Sequence, residues 1–285
     1  MAPSPEPVSP QEVFVHQALQ TPNVGVQLRA YEWTEPSEES GFVPSHCYLD
    51  LSLTSRPDQA RGWYRGRWSR GRAELLGDVM FLPASLDFRG SHGPGRQTSL
   101  TLFLAPELFT LKLNDLQDAT LAEGLHVSDE KVRLGLWRLA AEVRQPRLAS
   151  PLAMELAAIA VAERLERHLA RAVACGGPKR GGLPPSRLRL IEERLRADLP
   201  APGVAELAQL CGLSQRQLAR AFRQETGRSI GRRVAAASLQ RAWRLLTETS
   251  LPIKDVARTL GFCSSASFAA AFRGATGRRP SEIRF

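Results

Sequence analysis

Cysteine is scarce in the 285-residue chain, and the four present, Cys47, Cys175, Cys211 and Cys263, include no C-x-x-C pair. That spacing excludes a zinc cluster and a disulfide framework, and it suits a reducing, cytoplasmic setting. Histidine is equally thin. His16, His46, His92, His126 and His168 are scattered, so no metal site and no cofactor is expected. His46 adjoins Cys47, but neighbouring strand residues point to opposite faces and no third orienting group is in view, so a buried thiol is expected rather than a nucleophile. Long hydrophobic runs are absent too: even Pro151 to Ala162 is interrupted by Glu155, and nothing approaches the roughly 18 residues of a membrane span. Met1 to Val15 carries prolines and acids where a secretory leader has a basic start and an apolar core, so no signal peptide is expected.

What the chain does have is a stretch written twice, between Ala205 and Phe285. Leu207-Ala-Gln-Leu-Cys-Gly-Leu-Ser214 leads into Leu218-Ala-Arg-Ala-Phe-Arg223 and Thr226-Gly-Arg228; Val256-Ala-Arg-Thr-Leu-Gly-Phe262 leads into Phe268-Ala-Ala-Ala-Phe-Arg273 and Thr276-Gly-Arg278. Two copies are too few for a solenoid, which needs at least three repeats to bury a core. Each copy instead has the physics of a helix-turn-helix. A short helix ends at Gly212 or Gly261, since glycine enters the left-handed conformation without steric cost. Ser214 or Ser264 then caps a second helix. That helix buries Leu218, Ala221 and Phe222, or Phe268, Ala271 and Phe272, and stops at the Thr-Gly pair.

Charge divides the chain in the same place. Residues 186–285 hold 18 Lys and Arg against 8 Asp and Glu, while the other 185 residues hold 20 against 21. All the excess positive charge therefore sits in the repeated part, which points to a polyanionic partner. Residues 1–20 begin proline-rich and read as a flexible segment. Residues 21–174 begin with period-two strands: Val24-Val26-Leu28, Cys47 to Leu53, Trp63 to Trp68, Asp78 to Leu82 and Ser99 to Leu104. In the second strand the face of Cys47, Leu49, Leu51 and Leu53 should be the buried one, with His46, Tyr48, Asp50 and Ser52 opposite. Two helices follow, Ser128 to Val143 with Val132, Leu136, Leu139 and Val143 inward, and Pro151 to Val173 with Leu152, Leu156, Ile159 and Leu169 inward. They read as an antiparallel pair joined across Gln145-Pro146, and residues 128–173 offer a seam for a homodimer. Residues 175–185, rich in glycine and proline, read as a linker, and residues 186–285 as the second domain.

The run Ala237 to Phe262, with Phe268, Phe272, Gly277, Pro280-Ser281 and Arg284 at their spacing downstream, resembles the signature of AraC/XylS-type transcriptional regulators. The resemblance covers about Leu188 to Phe285. It implies a seven-helix DNA-binding domain with two helix-turn-helix units that controls bacterial promoters, with RNA polymerase as a further partner. The upstream part resembles the cupin-like sensory and dimerisation domains often found there. The fold class expected is therefore α+β: a cupin-like β-barrel with a helical pair, then an all-α DNA-binding domain. A helix of about 17 residues between the two units spans ~25 Å, against the ~34 Å that separates successive major grooves.

Helical geometry selects the DNA contacts. With Leu218 and Phe222 inward, Arg216, Arg220 and Arg223 face outward; Arg216 and Arg220 are assigned to bases, helped by Gln215, and Arg223 to phosphate. In the second copy the outward positions are Ala266, Ala270 and Arg273. Alanine contacts only a thymine methyl, so Ala266 and Ala270 are minor base contacts, while Ser264, Ser265, Ser267 and Arg273 hold phosphate. The first unit is thus expected to specify sequence and the second to anchor. In the strand domain, Leu49, Leu51, Trp63, Trp68, Phe81 and Phe88 either line a pocket for a small-molecule effector or form core; a protein effector is the other option. Two alternatives, a metal-dependent cupin enzyme fused to a DNA-binding tail and a cysteine-based alkyl-repair fusion, need a histidine cluster or a four-cysteine zinc group that the sequence lacks. No enzyme is expected.

Overall fold

The computed structural model describes residues 12–57, 59–68, 72–144, 151–174, 183, 185–197 and 202–284. The chain divides into two compact units, Met1–Gly176 and Gly177–Phe285.

In the first unit, nine strands among the described residues form two sheets in which every pairing is antiparallel. One sheet has the order β1 (Glu12–Gln20), β2 (Val24–Trp33), β9 (Gly95–Leu104), β4 (Cys47–Ser52), β7 (Val79–Leu82). The other runs β3 (Ser37–Phe42), β8 (Phe88–His92), β5 (Arg61–Tyr64), β6 (Glu74–Leu75). Strand β1 corrects the expectation of a flexible segment over 1–20. The prolines stop at Pro10, and Glu12–Gln20 is a proline-free run with Val13, Phe14 and Val15 that pairs with β2 from Glu12↔Glu32 to Gln20↔Gly25. The strand expected from Trp63 to Trp68 stops at Tyr64, where the chain turns through Gly66 at φ 80°.

Register fixes the two faces of the larger sheet. Leu28 and Leu51 both oppose Leu100, Val26 and Leu49 both oppose Leu102, and Phe81 opposes Leu49. This leucine face is buried, as expected, and the helices of the unit cover it: α1 (Asp118–Gly124), α2 (Glu130–Arg144) and α3 (Pro151–Ala174). A Cβ on Gly124 would lie 3.1 Å from the Phe81 carbonyl oxygen, and the Phe81 ring meets Phe109 at 5.4 Å. Cys47 is fully buried on the same face, and burial pushes its thiol up to about 11. The opposite face is buried as well. All six residues of β4 are buried, Tyr48, Asp50 and Ser52 included, because the second sheet covers them.

Helix α2 buries Val132, Leu136, Leu139 and Val143 as its spacing requires. Helix α3 follows the expected stripe only at Leu169: Met154, Ala158, Val161 and Leu165 are buried with it, whereas Leu152 and Leu156 are 62% and 58% exposed. Its sequence is apolar over more than one face, so periodicity alone did not choose between stripes. The Gln145-Pro146 junction lies outside the described residues.

The second unit is helical: α4 (Pro185–Arg196), α5 (Val204–Leu210), α6 (Gln215–Thr226), α7 (Ile230–Glu248), α8 (Ile253–Thr259), α9 (Ser265–Thr276) and a 3-10 turn at Pro280–Glu282. Leu183, Ile191, Leu207, Leu218, Phe222 and Ile230 share one core. Around the second copy, Trp243 stacks on Phe272 at 6.5 Å, and Phe268 meets Phe262 and Phe272 at 5.4 and 5.8 Å. Leu183 packs in this core, so the expected linker over 175–185 ends inside the unit; apart from Leu183 and Pro185 the linker lies outside the described residues. Ala271, expected inward, is exposed, because Phe268, Phe272 and Thr276 alone fill the inward stripe of α9.

Candidate nucleic-acid interface

The two helix-turn-helix copies are built by the same local chemistry. After α5, Gly212 adopts φ 63°, its N–H bonds the Gln209 carbonyl at 3.0 Å, and the Leu213 N–H bonds the Ala208 carbonyl at 2.9 Å. After α8, Gly261 adopts φ 80°, with Arg258 and Ala257 as the acceptors at 3.0 and 2.9 Å. Both are the left-handed helix stop that glycine permits. The chain then reverses into Ser214 and Ser264. Each accepts from the backbone N–H three residues on, Gln217 or Ser267, whose side chain closes a capping box.

The far ends match too. Gly227 and Gly277 stop α6 and α9 at φ 72° and 79°. Thr226 and Thr276 donate to the carbonyls of Phe222 and Phe272 at 2.8 and 2.9 Å, and accept from the N–H of Arg228 and Arg278 at 3.3 and 3.2 Å. The repeated Thr-Gly-Arg is thus a terminator, and its arginines are buried structural residues.

The outward faces differ. Arg216, Arg220 and Arg223 are exposed and lie within about 60° of one another around α6, opposite buried Leu218 and Phe222. None of the three side chains has an ion pair or hydrogen bond among the described residues, and the Gln215 side chain beside them is likewise exposed and unengaged. By contrast, Arg194 pairs with Glu206 at 2.6 Å and Arg233 with Glu192 at 2.5 Å. The unit therefore pairs some of its arginines internally and leaves this stripe of them free. On α9, exposed Ala266 and Ala270 occupy the matching places and only Arg273 offers a charge. Ser264 and Ser267 are exposed, but their hydroxyls are engaged in the capping box at 3.1–3.3 Å, which leaves Ser265 as the unengaged hydroxyl of the three.

In the first unit a cavity of about 120 Å³ lies between the two sheets, lined by Arg29, Tyr31, Tyr48, Asp50, Phe88 and His92 among others. Of the residues expected at an effector pocket, Leu49, Leu51 and Phe81 sit on the opposite, helix-covered face of the sheet, and Trp63 and Trp68 are buried away from the cavity, so none of the five lines it. Phe88 does. The polar side of β2, β4 and β9 was the missed signal: its regular Arg29-Tyr31, Tyr48-Asp50-Ser52 and Gln97-Ser99-Thr101 alternation reads as a solvent face until a second sheet covers it. Among the described residues no three His, Cys, Asp or Glu side chains gather as metal ligands, and no helix is long and apolar enough to cross a membrane.

Residues 207–284 match a family model described as a helix-turn-helix domain. A curated relative, the probable transcriptional regulator LumQ of Photobacterium leiognathi, is 33% identical over 95 residues, which are 33% of this chain and 37% of that protein's length. Among solved structures, an AraC-type DNA-binding-domain regulator from Chromobacterium violaceum is 29% identical over 35% of this chain and 89% of its own, with a TM-score of 0.32. A cupin superfamily protein from Desulfitobacterium hafniense is 20% identical over 33% and 78%, with a TM-score of 0.24.

Proposed function

We propose that residues 207–284, which match a helix-turn-helix domain, are of the AraC type and that the chain is a sequence-specific DNA-binding transcription regulator of bacterial promoters, acting in the cytoplasm. The observation that carries this reading is the free stripe of Arg216, Arg220 and Arg223, held outward by a core that buries Leu218 and Phe222. Guanidinium groups near the start of a helix that enters the major groove pair with guanine O6 and N7, or clamp phosphate. Arg216 and Arg220, with Gln215, read bases; Arg223 holds phosphate. In the second copy, Ala266 and Ala270 touch thymine methyls at most, and Ser265 and Arg273 anchor the backbone, with Ser264 and Ser267 contributing only where their caps allow. Helix α7, 19 residues or about 28 Å long, is the spacer between the two units.

The first unit acts as the effector and dimerisation module. The cavity between its sheets is the effector site in place of the leucine face. The exposed Leu152 and Leu156 of α3 are the apolar contribution of residues 128–173 to a homodimer seam. RNA polymerase is the partner through which bound protein alters transcription.

Selection of bound fragments from random DNA tests the function, and anisotropy titration of the selected site then tests the division of labour. A bidentate base contact is worth about 1–3 kcal/mol of discrimination, so Arg220→Ala lowers the preference for the selected site over random DNA by about 10- to 100-fold. Ala270→Ser changes it by less than about threefold. Failure to enrich any sequence refutes the function; equal losses for the two variants refute the asymmetry alone.

A further inference from the structure

The cavity between the sheets contains a charge that the described residues around it do not neutralise. Asp50, 1% exposed, is engaged on both oxygens: its Oδ2 accepts from Arg56 Nη2 at 2.8 Å and Ser99 at 3.3 Å, and its Oδ1 from Thr101 at 3.1 Å. Arg56 is engaged in turn, with its Nε on the Gly77 carbonyl at 2.6 Å. Arg61, also at the cavity, donates to the Ala73 carbonyl at 3.1 Å. Arg29 has no such partner among the described residues. It is 8% exposed, its Nε has no hydrogen-bond partner there, and no described carboxylate is paired with it.

Two aromatic faces lie near its guanidinium, Tyr31 at 5.7 Å and Phe103 at 5.9 Å from the ring centroids. Such contacts ease a buried cation without neutralising it or filling its hydrogen bonds. Tyr31 and Tyr48 supply no negative charge either. Burial, ahead of every other influence, raises both phenols above their ordinary value, and they lie 3.3 Å apart with the hydroxyls bonded to each other. A buried guanidinium lacking a counter-ion is expensive to maintain. Beside it the Trp33 indole N–H and His92 Nε2 also lack hydrogen-bond partners among the described residues, and both side chains line the same cavity.

The remaining walls are apolar rings. Tyr31 stacks on Trp33 at 5.2 Å, and Phe42 meets Tyr48 and Phe88 at 5.5 and 6.4 Å. A closed apolar cavity of about 150 Å³ takes a benzene molecule, so about 120 Å³ partly open to solvent sets the scale of a one-ring or short-chain body.

The geometry points to a small organic carboxylate as the occupant of this cavity, its carboxylate on Arg29 and its apolar body against Trp33, Phe42 and Phe88. This deepens the effector role proposed for the first unit and rests on it for its regulatory meaning. Arg29 supplies a fork of donors to two acceptor oxygens, and the ligand supplies the negative charge that the described residues around Arg29 do not.

Isothermal titration of the full-length chain with benzoate, hexanoate, benzamide and inorganic phosphate tests the assignment. Benzoate or hexanoate binds, and benzamide, which has the shape of benzoate without its charge, binds at least tenfold more weakly. Arg29→Gln, verified as folded by its circular dichroism, loses at least tenfold in carboxylate affinity, and Arg29→Lys keeps part of it. The inference is overturned if neither carboxylate binds at 10 mM, if benzamide equals benzoate, if phosphate alone binds, or if folded Arg29→Gln binds as the parent does. The benzoate and benzamide comparison needs no variant, so a misfolded substitution cannot blur the outcome. Titrating the same preparation with its selected DNA keeps the outcomes separate: a chain that binds the DNA but neither carboxylate sinks only this inference, and a chain that binds no DNA sinks the regulatory reading.

Discussion

Cys47 and Arg29 stand on opposite faces of one sheet and differ in what burial does to them. The thiol is apolar when protonated, and its leucine surroundings hold it so, with its titration pushed up to about 11. Alkylation of Cys47 in the folded protein should therefore be slow at pH 8 and accelerate only as pH nears that value, with peptide mapping as the readout; rapid labelling at pH 8 would place the thiol elsewhere. Linkage gives a second consequence. A thiol whose folded value lies above its ordinary 9.0 contributes stability below pH 9 that is lost as pH rises toward 11, and the raised Tyr31 and Tyr48 act in the same direction. The melting temperature of the first unit should fall over that window, and a flat profile from pH 8 to 11 would contradict it. Residue identity alone made Cys47 legible, because a lone cysteine in a leucine strand is apolar whichever layer covers it. Arg29 was not legible: on an alternating strand it reads as solvated, and only the second sheet, β3 with the more distant β5 and β8, reveals that its face is enclosed.

At the scale of elements, local signals sufficed where they were local in cause. Each helix-turn-helix is fixed by a glycine stop, a serine cap and apolar positions three and four apart, all within about twenty residues, and the structure follows them closely. Gly212 and Gly261 sharpen this into a test. Both hold positive φ, and a Cβ built on either meets nothing within 4 Å. Any cost of substitution is then backbone hand alone, about 1–2 kcal/mol for alanine and less for asparagine, which tolerates that region. Thermal melts of Gly212→Ala and Gly212→Asn should separate in that order, and equal losses would indicate that something other than conformation is at stake. Where the cause was tertiary, elements misled: the alanine-rich α3 has two apolar stripes, and its own sequence did not say that Met154 and Leu165 would be covered while Leu152 and Leu156 would not. Strand β1 was obscured by the prolines ahead of it.

Over the whole molecule, the excess positive charge lies in residues 186–285, and within that unit the unpaired arginine stripe lies on α6, with Arg273 alone on α9. Each phosphate neutralised contributes about 0.9 to the slope of log K against log salt on duplex DNA. Arg223→Ala should therefore make that slope shallower by about one, with little change in which sequence is preferred. Arg216→Ala should do the reverse, changing preference more than slope. Anisotropy titrations at several salt concentrations separate the two, and identical behaviour of both variants would break the assignment of bases to one and phosphate to the other.

The unequal outward faces of α6 and α9 have a last consequence. A protein that reads DNA with two equal helices related by two-fold symmetry has no preferred heading, and its target reads alike from either end. One chain that presents arginines at one helix and alanines at the other has a front and a back. The site of each chain is then an arrow: reversing that site ahead of a gene, without changing a base of it, turns the bound chain around and exchanges the side it presents to the transcription machinery.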